Sequence, residues 1–382
     1  MIDTQSHVAW ILNTGRMDGL QAMADGLGAR LIEEGMSLMR IRIGLRTTHP
    51  LTAALSVVWE ATGGPIVQVA APHGLEQRSG YIGSPMEYVN RTRRPLRRNL
   101  SDALTEDDHV VLHEMKLRGA TDYYALPLFS AQGSGAIVMY VCDGAGGFSD
   151  DEIAALDTIS AVLAPVIEAH GNHHLATAIA ESYLGQRTGQ RVLDGQITRG
   201  DIETIEAAIL FSDIRGWTAL NATRPATEAL DIANRYFEVI SDAVDNNDGE
   251  ILKFMGDGVL ALFPSDGSDQ GRQQACRQAI AAAHAAHGIA ALAELPVPFG
   301  IGIHYGAVLY GNVGARARID FTILGQAVNI ASRVESFCAR LDQSVLVSDS
   351  VAQIAQVPMR LVSTETLKGV DAPMGLHTPE PG

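Results

Sequence analysis

Residues 207–214 read Ala-Ala-Ile-Leu-Phe-Ser-Asp-Ile, and residues 250–263 read Glu-Ile-Leu-Lys-Phe-Met-Gly-Asp-Gly-Val-Leu-Ala-Leu-Phe. The first is a continuous apolar run that closes on Ser-Asp, the pattern of a buried strand. The second is two short apolar runs joined by Gly-Asp, a hairpin signal. Between them Ala229, Ile232, Ala233, Tyr236, Phe237, Ile240 and Val244 recur at threes and fours and form one helical stripe. Further on, Ala279–Ala293 reads as a buried helix, Phe299–Gly314 as a second, Gly-rich hairpin, and Gln326–Leu341 as another helix. The order βαββαβ predicts a ferredoxin-like sheet with helices on one face, within an α+β class.

Working outward, residues 1–148 mix strand-like runs (Ser56–Glu60, Ile66–Ala70, Tyr124–Phe129, Ala136–Cys142) with helical patterns and read as a separate α+β domain. A helix then opens at Phe148-Ser-Asp-Asp-Glu152, a Ser or Asp cap followed by acids in the first turn. Its apolar positions run from Ile153 to Val166, and Pro165 and Gly171 are expected to kink or interrupt it. The chain therefore divides into 1–148, a helical linker over 149–200, and a C-terminal domain over 201–382.

The 382 residues carry 44 Asp+Glu against 28 Lys+Arg, a formal charge of −16. Coating DNA or RNA needs a cationic face, so that class is excluded. Cys142, Cys276 and Cys338 lie far apart, form no C-x-x-C, and fit a reducing compartment. No secretory signal is visible in the first 21 residues. The longest uncharged run, Tyr123–Cys142, is split by Pro127 and the polar 130–135, which suits a hairpin better than a membrane span. The expectation is a soluble cytoplasmic protein.

Two carboxylates close strand signals: Asp213 after Leu-Phe-Ser, and Asp257 between Gly256 and Gly258. Each is either a turn residue or a ligand for a hard cation, and Mg²⁺ is commonly held by one or two carboxylates plus substrate phosphates. Only Lys116, Lys253 and Lys368 are lysines among the 28 basic residues, yet Lys253 lies inside the apolar hairpin. It is either an edge-strand guard or a ligand contact. Asn329 and Arg333 stand four apart on one helical face, suited to a sugar and a phosphate or, blandly, to solvent.

Taken together, Ile209–Leu220, Glu250–Phe263, Gly300–Gly314, Phe321–Arg333 and Leu367–Val370 resemble the catalytic domain of class III adenylate/guanylate cyclases, in order and spacing. The resemblance implies two Mg²⁺ or Mn²⁺ ions per site, held by Asp213, Asp257 and the backbone carbonyl of Ile214. It implies that Lys253 and Thr322 read the purine, Asn329 orients the ribose, Arg333 stabilises the pentavalent phosphorus, and Lys368 contacts the terminal phosphates. Thr322 departs from the Asp of many members. Lys253 is a pure donor and suits adenine N1, whereas guanine presents a donor there. ATP, converted to 3′,5′-cyclic AMP and pyrophosphate, is the expected substrate, with GTP the nearest alternative. A non-catalytic nucleotide-sensing dimerisation module is the rival from another class. The family implies a homodimer with two shared sites, each combining the metal ligands of one chain with the base, ribose and phosphate contacts of the other.

Tyr123–Phe129, Ala136–Cys142 and Gly147–Glu152 with the apolar helix that follows resemble the end of a GAF domain, implying a regulatory unit with an unidentified small-molecule ligand. The cluster Arg91, Arg93, Arg94, Arg97 and Arg98 would meet an anion, an acidic neighbour or solvent. His109, His113, His170, His173 and His174 suggest metal or haem ligation or, since no completing Cys/His set is apparent, ordinary surface histidines, which is the expectation.

Overall fold

The computed structural model describes residues 2–16, 19–47, 52–128, 135–198, 200–315, 318–370 and 372–380. Two units divide the chain, Met1–Ile179 and Ala180–Gly382.

In the first unit the elements are α1 (Thr4–Trp10), α2 (Gly19–Glu33), β1 (Leu38–Arg46), β2 (Thr52–Glu60), β3 (Val67–Pro72), α3 (Pro85–Thr92), β4 (Leu96–Asn99), α4 (Val110–Leu117), β5 (Asp122–Leu128), β6 (Ala136–Cys142) and α5 (Asp150–Leu184). Among the described residues the strands form one antiparallel sheet ordered β3-β2-β1-β6-β5-β4. The uninterrupted apolar β6 is buried along its whole length because both faces are covered. Val138, Tyr140 and Cys142 join the core under α2 and α5, while Ile137, Met139 and Val141 meet α3 and α4. The β5–β6 turn expected over 130–135 lies, up to residue 134, outside the described residues.

The start of α5 is a capping box, as its sequence predicts: Ser149 N–H donates to Glu152 Oε2 at 2.8 Å, and Glu152 N–H donates to Ser149 Oγ at 3.3 Å. Pro165 and Gly171 do not interrupt this helix. Burial of Leu156, Ile159, Leu163, Val166 and Ile167 in the sheet core outweighs the hydrogen bond lost at proline. By length and composition alone α5 would also pass for a membrane span, but those same apolar residues form the core of the first unit. The stretch expected as a linker thus belongs to the first unit up to Ile179, and its first turns pack into that unit's core.

The second unit continues with α6 (Gln186–Leu193), β7 (Ile202–Ile214), α7 (Trp217–Thr223), α8 (Ala226–Asp245), β8 (Glu250–Met255), β9 (Gly258–Ser265), α9 (Asp269–Leu292), β10 (Phe299–Ala315), β11 (Arg318–Leu324), α10 (Gln326–Arg340), β12 (Val345–Ser348), α11 (Asp349–Ala355), β13 (Met359–Glu365) and β14 (Met374–Pro379). The sheet order is β13-β14-β12-β10-β7-β9-β8, with β11 paired to β10. Strands β10-β7-β9-β8 make one end of it. Ala208 and Leu210 of β7 face α8 and α9, whereas Ala207 and Ile209 face Ala327 and Ala331 of α10. Helices therefore cover both faces, not one; a strand apolar at every position needs cover on each side.

Phe299–Ala315 is one long strand and not a hairpin. Its glycines are points of close approach: a Cβ on Gly302 would lie 2.2 Å from the Glu335 backbone nitrogen, and one on Gly311 would lie 2.1 Å from the Asp201 carbonyl. Helix α6 is tied to this sheet. The Thr188 N–H and hydroxyl donate to the buried Glu250 carboxylate at 2.9 and 2.6 Å, and Tyr310 OH donates to its other oxygen at 3.0 Å.

Candidate active site

Asp213 is the penultimate residue of β7, paired across to Gly258 on one side and Gly300 on the other. Asp257 occupies the turn between β8 and β9, where Gly256 takes a left-handed φ of +66° and lets the chain reverse in two residues. Burial, with the charge of Asp257 beside it, pushes Asp213 up to about 6; the Ile214 N–H opposes the shift by donating to it. Two acids forced together by adjacent strand ends repel as anions, and a divalent cation relieves that repulsion.

A third acid, absent from the sequence reading, adds to this field. Glu335 of α10 is pushed up to about 7 by burial and by the charges of Asp213 and Asp257, with Arg215 acting against them. A Cβ on Gly300, the cross-strand neighbour of Asp213, would stand 2.6 Å from Glu335 Oε1. Glycine at 300 and 302 is thus what lets α10 lie against β10 and bring Glu335 near the pair. Among the described residues no set of three or more His, Cys, Asp or Glu side chains converges as metal ligands. Two carboxylates and the Ile214 carbonyl remain, an all-oxygen donor set that suits Mg²⁺ or Mn²⁺ when completed by water and phosphate.

Lys253 of β8 forms an ion pair with Asp320 of β11. Thr322 lies two residues beyond Asp320 on the same face of β11, so the expected purine-reading residues share one neighbourhood. Asp320 escaped the sequence reading because the β8–β11 approach is not local. Asn329 is exposed in α10. One turn on, Arg333 donates to the Lys368 carbonyl, which joins α10 to the loop between β13 and β14. Residues two apart on a helix do not share a face, so Arg333 is turned away from the side on which Glu335 meets Asp213 and Asp257. Within one chain the structure shows the carboxylate pair, the Lys253–Asp320 ion pair near Thr322 and the Arg333–Lys368 contact.

Outside this unit, Arg97 is bound to the fully buried Asp122 at 2.8 Å and Arg98 to Asp108 at 2.9 Å, so acidic neighbours account for these two members of the arginine cluster. His109 caps α4 by accepting from Val111 N–H at 3.2 Å, and His113 contacts the Thr105 carbonyl at 3.0 Å.

Residues 202–373 match the family model of the adenylate and guanylate cyclase catalytic domain. The chain is 32% identical over 189 residues to an adenylate cyclase of Anabaena cylindrica, covering 47% of this chain and 37% of that protein. It is also 32% identical to adenylate cyclase 1 of Rhizobium meliloti, over 45% of this chain and 27% of that protein. The match thus spans about a third of the length of these curated relatives. Among solved structures, the adenylyl cyclase CyaB of P. aeruginosa is similar at 26% identity and a TM-score of 0.42, covering 48% of this chain and 97% of that one. The guanylyl cyclase Cya2 is similar at 27% identity and a TM-score of 0.39, over 47% and 93%. The C-terminal unit of this protein carries a class III adenylate/guanylate cyclase catalytic domain.

Proposed function

We propose that the second unit is an adenylate cyclase that closes ATP to 3′,5′-cyclic AMP and pyrophosphate, working as a cytoplasmic homodimer. The observation that carries this reading is the paired Asp213–Asp257 site on a chain that also presents Lys253, Thr322, Asn329 and Arg333. Mg²⁺ or Mn²⁺ bound at Asp213, Asp257 and the Ile214 carbonyl would acidify the attacking ribose 3′-hydroxyl and neutralise the triphosphate.

The chain's own residues then divide the remaining work. Arg333 meets the charge that develops on the α-phosphate, where a fixed donor out of water counts most. Lys368 stands beside it for the terminal phosphates. Asn329 orients the ribose so that the 3′-oxygen lies in line with phosphorus. Lys253, steadied by Asp320, donates to adenine N1, and the Thr322 hydroxyl accepts from the N6 amine. Because Arg333 faces away from the carboxylates of its own chain, each site takes its metal ligands from one protomer and these contacts from its partner. The first unit, with its six-stranded sheet, serves as a GAF-like regulatory domain.

The test is to incubate the purified chain with ATP or GTP and Mg²⁺ or Mn²⁺ and to identify the cyclic product. Cyclic AMP is expected. Cyclic GMP as the main product would make this a guanylate cyclase, and no cyclic product from a folded dimer would leave a nucleotide-sensing module.

A further inference from the structure

Strand β1 reads Leu-Met-Arg-Ile-Arg-Ile-Gly-Leu-Arg over residues 38–46, placing Arg40, Arg42 and Arg46 on one face of a central strand. Ile41, Ile43 and Leu45 point the other way, into the core under α2 and α5. Two of the three arginines have a carboxylate. Arg40 Nε stands 3.7 Å from Glu60, and Arg46 Nη2 stands 2.7 Å from Glu76. Arg42 pairs with no carboxylate among the described residues. Its Nη2 donates to the Ser56 hydroxyl at 3.1 Å, while its buried Nε has no partner. Burial lowers its pKa, as expected for a guanidinium kept from water without a counter-charge.

Arg42 and the exposed Arg78 line a cavity of about 290 Å³ bounded also by Ser56, Ala71, Met86, Tyr123 and Met139. We infer that this cavity is a binding site for a small aromatic anion, its acidic head on the Arg42 guanidinium and its ring against Ala71, Met86 and Met139. A buried unpaired charge is costly, and an arriving anion removes the cost while using the planar donor fork. Burial pushes the Tyr123 phenol up to about 12, so it stays protonated near neutral pH and adds a hydroxyl donor to the wall. The volume lies at the small end of the roughly 300–1,000 Å³ range of ligand pockets, which suits a two- or three-ring body.

The full-length chain is titrated with 8-anilinonaphthalene-1-sulfonate and with N-phenyl-1-naphthylamine, the same rings without the sulfonate. The expected result is one saturable sulfonate site per chain, at least tenfold tighter than the neutral probe. Arg42→Met should weaken the sulfonate at least tenfold and the neutral probe less than twofold. Ala71→Trp, on edge strand β3, should fill the hollow and remove both. Equal affinity for the two probes, no saturable site, loss of the two probes in parallel in Arg42→Met, or persistence of both in Ala71→Trp would each overturn the assignment. If Arg42→Met does not fold, the wild-type ratio and Ala71→Trp decide.

Discussion

Adding one methyl group at Gly302 should remove most cyclase activity without unfolding the protein. A Cβ there would lie 2.2 Å from the Glu335 nitrogen, 2.6 Å from its Cα and 2.7 Å from the Ala331 carbonyl. All three are backbone atoms of α10, so no side chain can swing aside. Ordinary contact begins near 3.4 Å, so the helix must retreat by about 1 Å, carrying Asn329 and Arg333 with it. Overpacking of this kind costs ~1–3 kcal/mol, which for a unit of this size lowers Tm by several degrees. A displacement of ~1 Å at the reacting groups costs on the order of 100-fold in rate. Gly302→Ala is therefore expected to lose about two orders of magnitude in kcat/KM for cyclic-nucleotide formation while a thermal melt stays cooperative. Gly288→Ala is the matched control: it is an exposed position of α9 whose Cβ would meet nothing within 4 Å. That change should stabilise by ~0.5–1 kcal/mol and leave turnover unchanged. Activity of Gly302→Ala within threefold of wild type, with the fold retained, would refute the claim that close α10–β10 packing positions the site.

Three further outcomes are expected. Lys253→Glu reverses the donor at the purine edge and should lower the ATP:GTP ratio of kcat/KM; an unchanged ratio would place base recognition elsewhere. Asp257→Asn and Arg333→Ala should each be nearly inactive, yet after subunit exchange about a quarter of wild-type activity should return, because half the dimers then hold one intact site. No rescue, with exchange verified, would reject the shared site. His304 is buried beside Ser348 and Ser350, and burial holds it down to about 4. Its folded value lies below the ordinary 6.5, so the stability tied to neutral His304 is complete above that value. It is lost as pH falls, by about 3 kcal/mol once pH is below 4. Urea unfolding followed by Trp217 fluorescence in a Trp10→Phe/Trp59→Phe background should show this acid loss and His304→Gln should lack it. Parallel pH profiles would refute the assignment.

What the sequence by itself determined was whatever depends on near neighbours along the chain. The apolar run into Asp213, the Gly-Asp turn at 256–257, the α8 stripe and the Ser149–Glu152 cap are local patterns, and each appears where its spacing puts it. Asp213, Asp257, Lys253 and the Asn329/Arg333 pair could be placed on a strand end, a turn, a hairpin strand and a helix face from local pattern. Each alone had an ordinary structural reading, and only the resemblance to the cyclase family joined them into a candidate site. Tertiary structure decided the rest. Glycines spaced along 299–314 look like turn signals until α10 and the Asp201 segment are seen resting against them. Pro165 reads as a break until the core on both sides of it is counted. Glu335 and Asp320 are ordinary charged residues in sequence; one becomes part of a three-carboxylate field and the other a lysine partner only when distant strands meet. Arg42, unlike Arg40 and Arg46, has no carboxylate partner among the described residues. Charge compensation and close backbone approach are properties of pairs remote in the chain, and a residue's own type and spacing do not encode them.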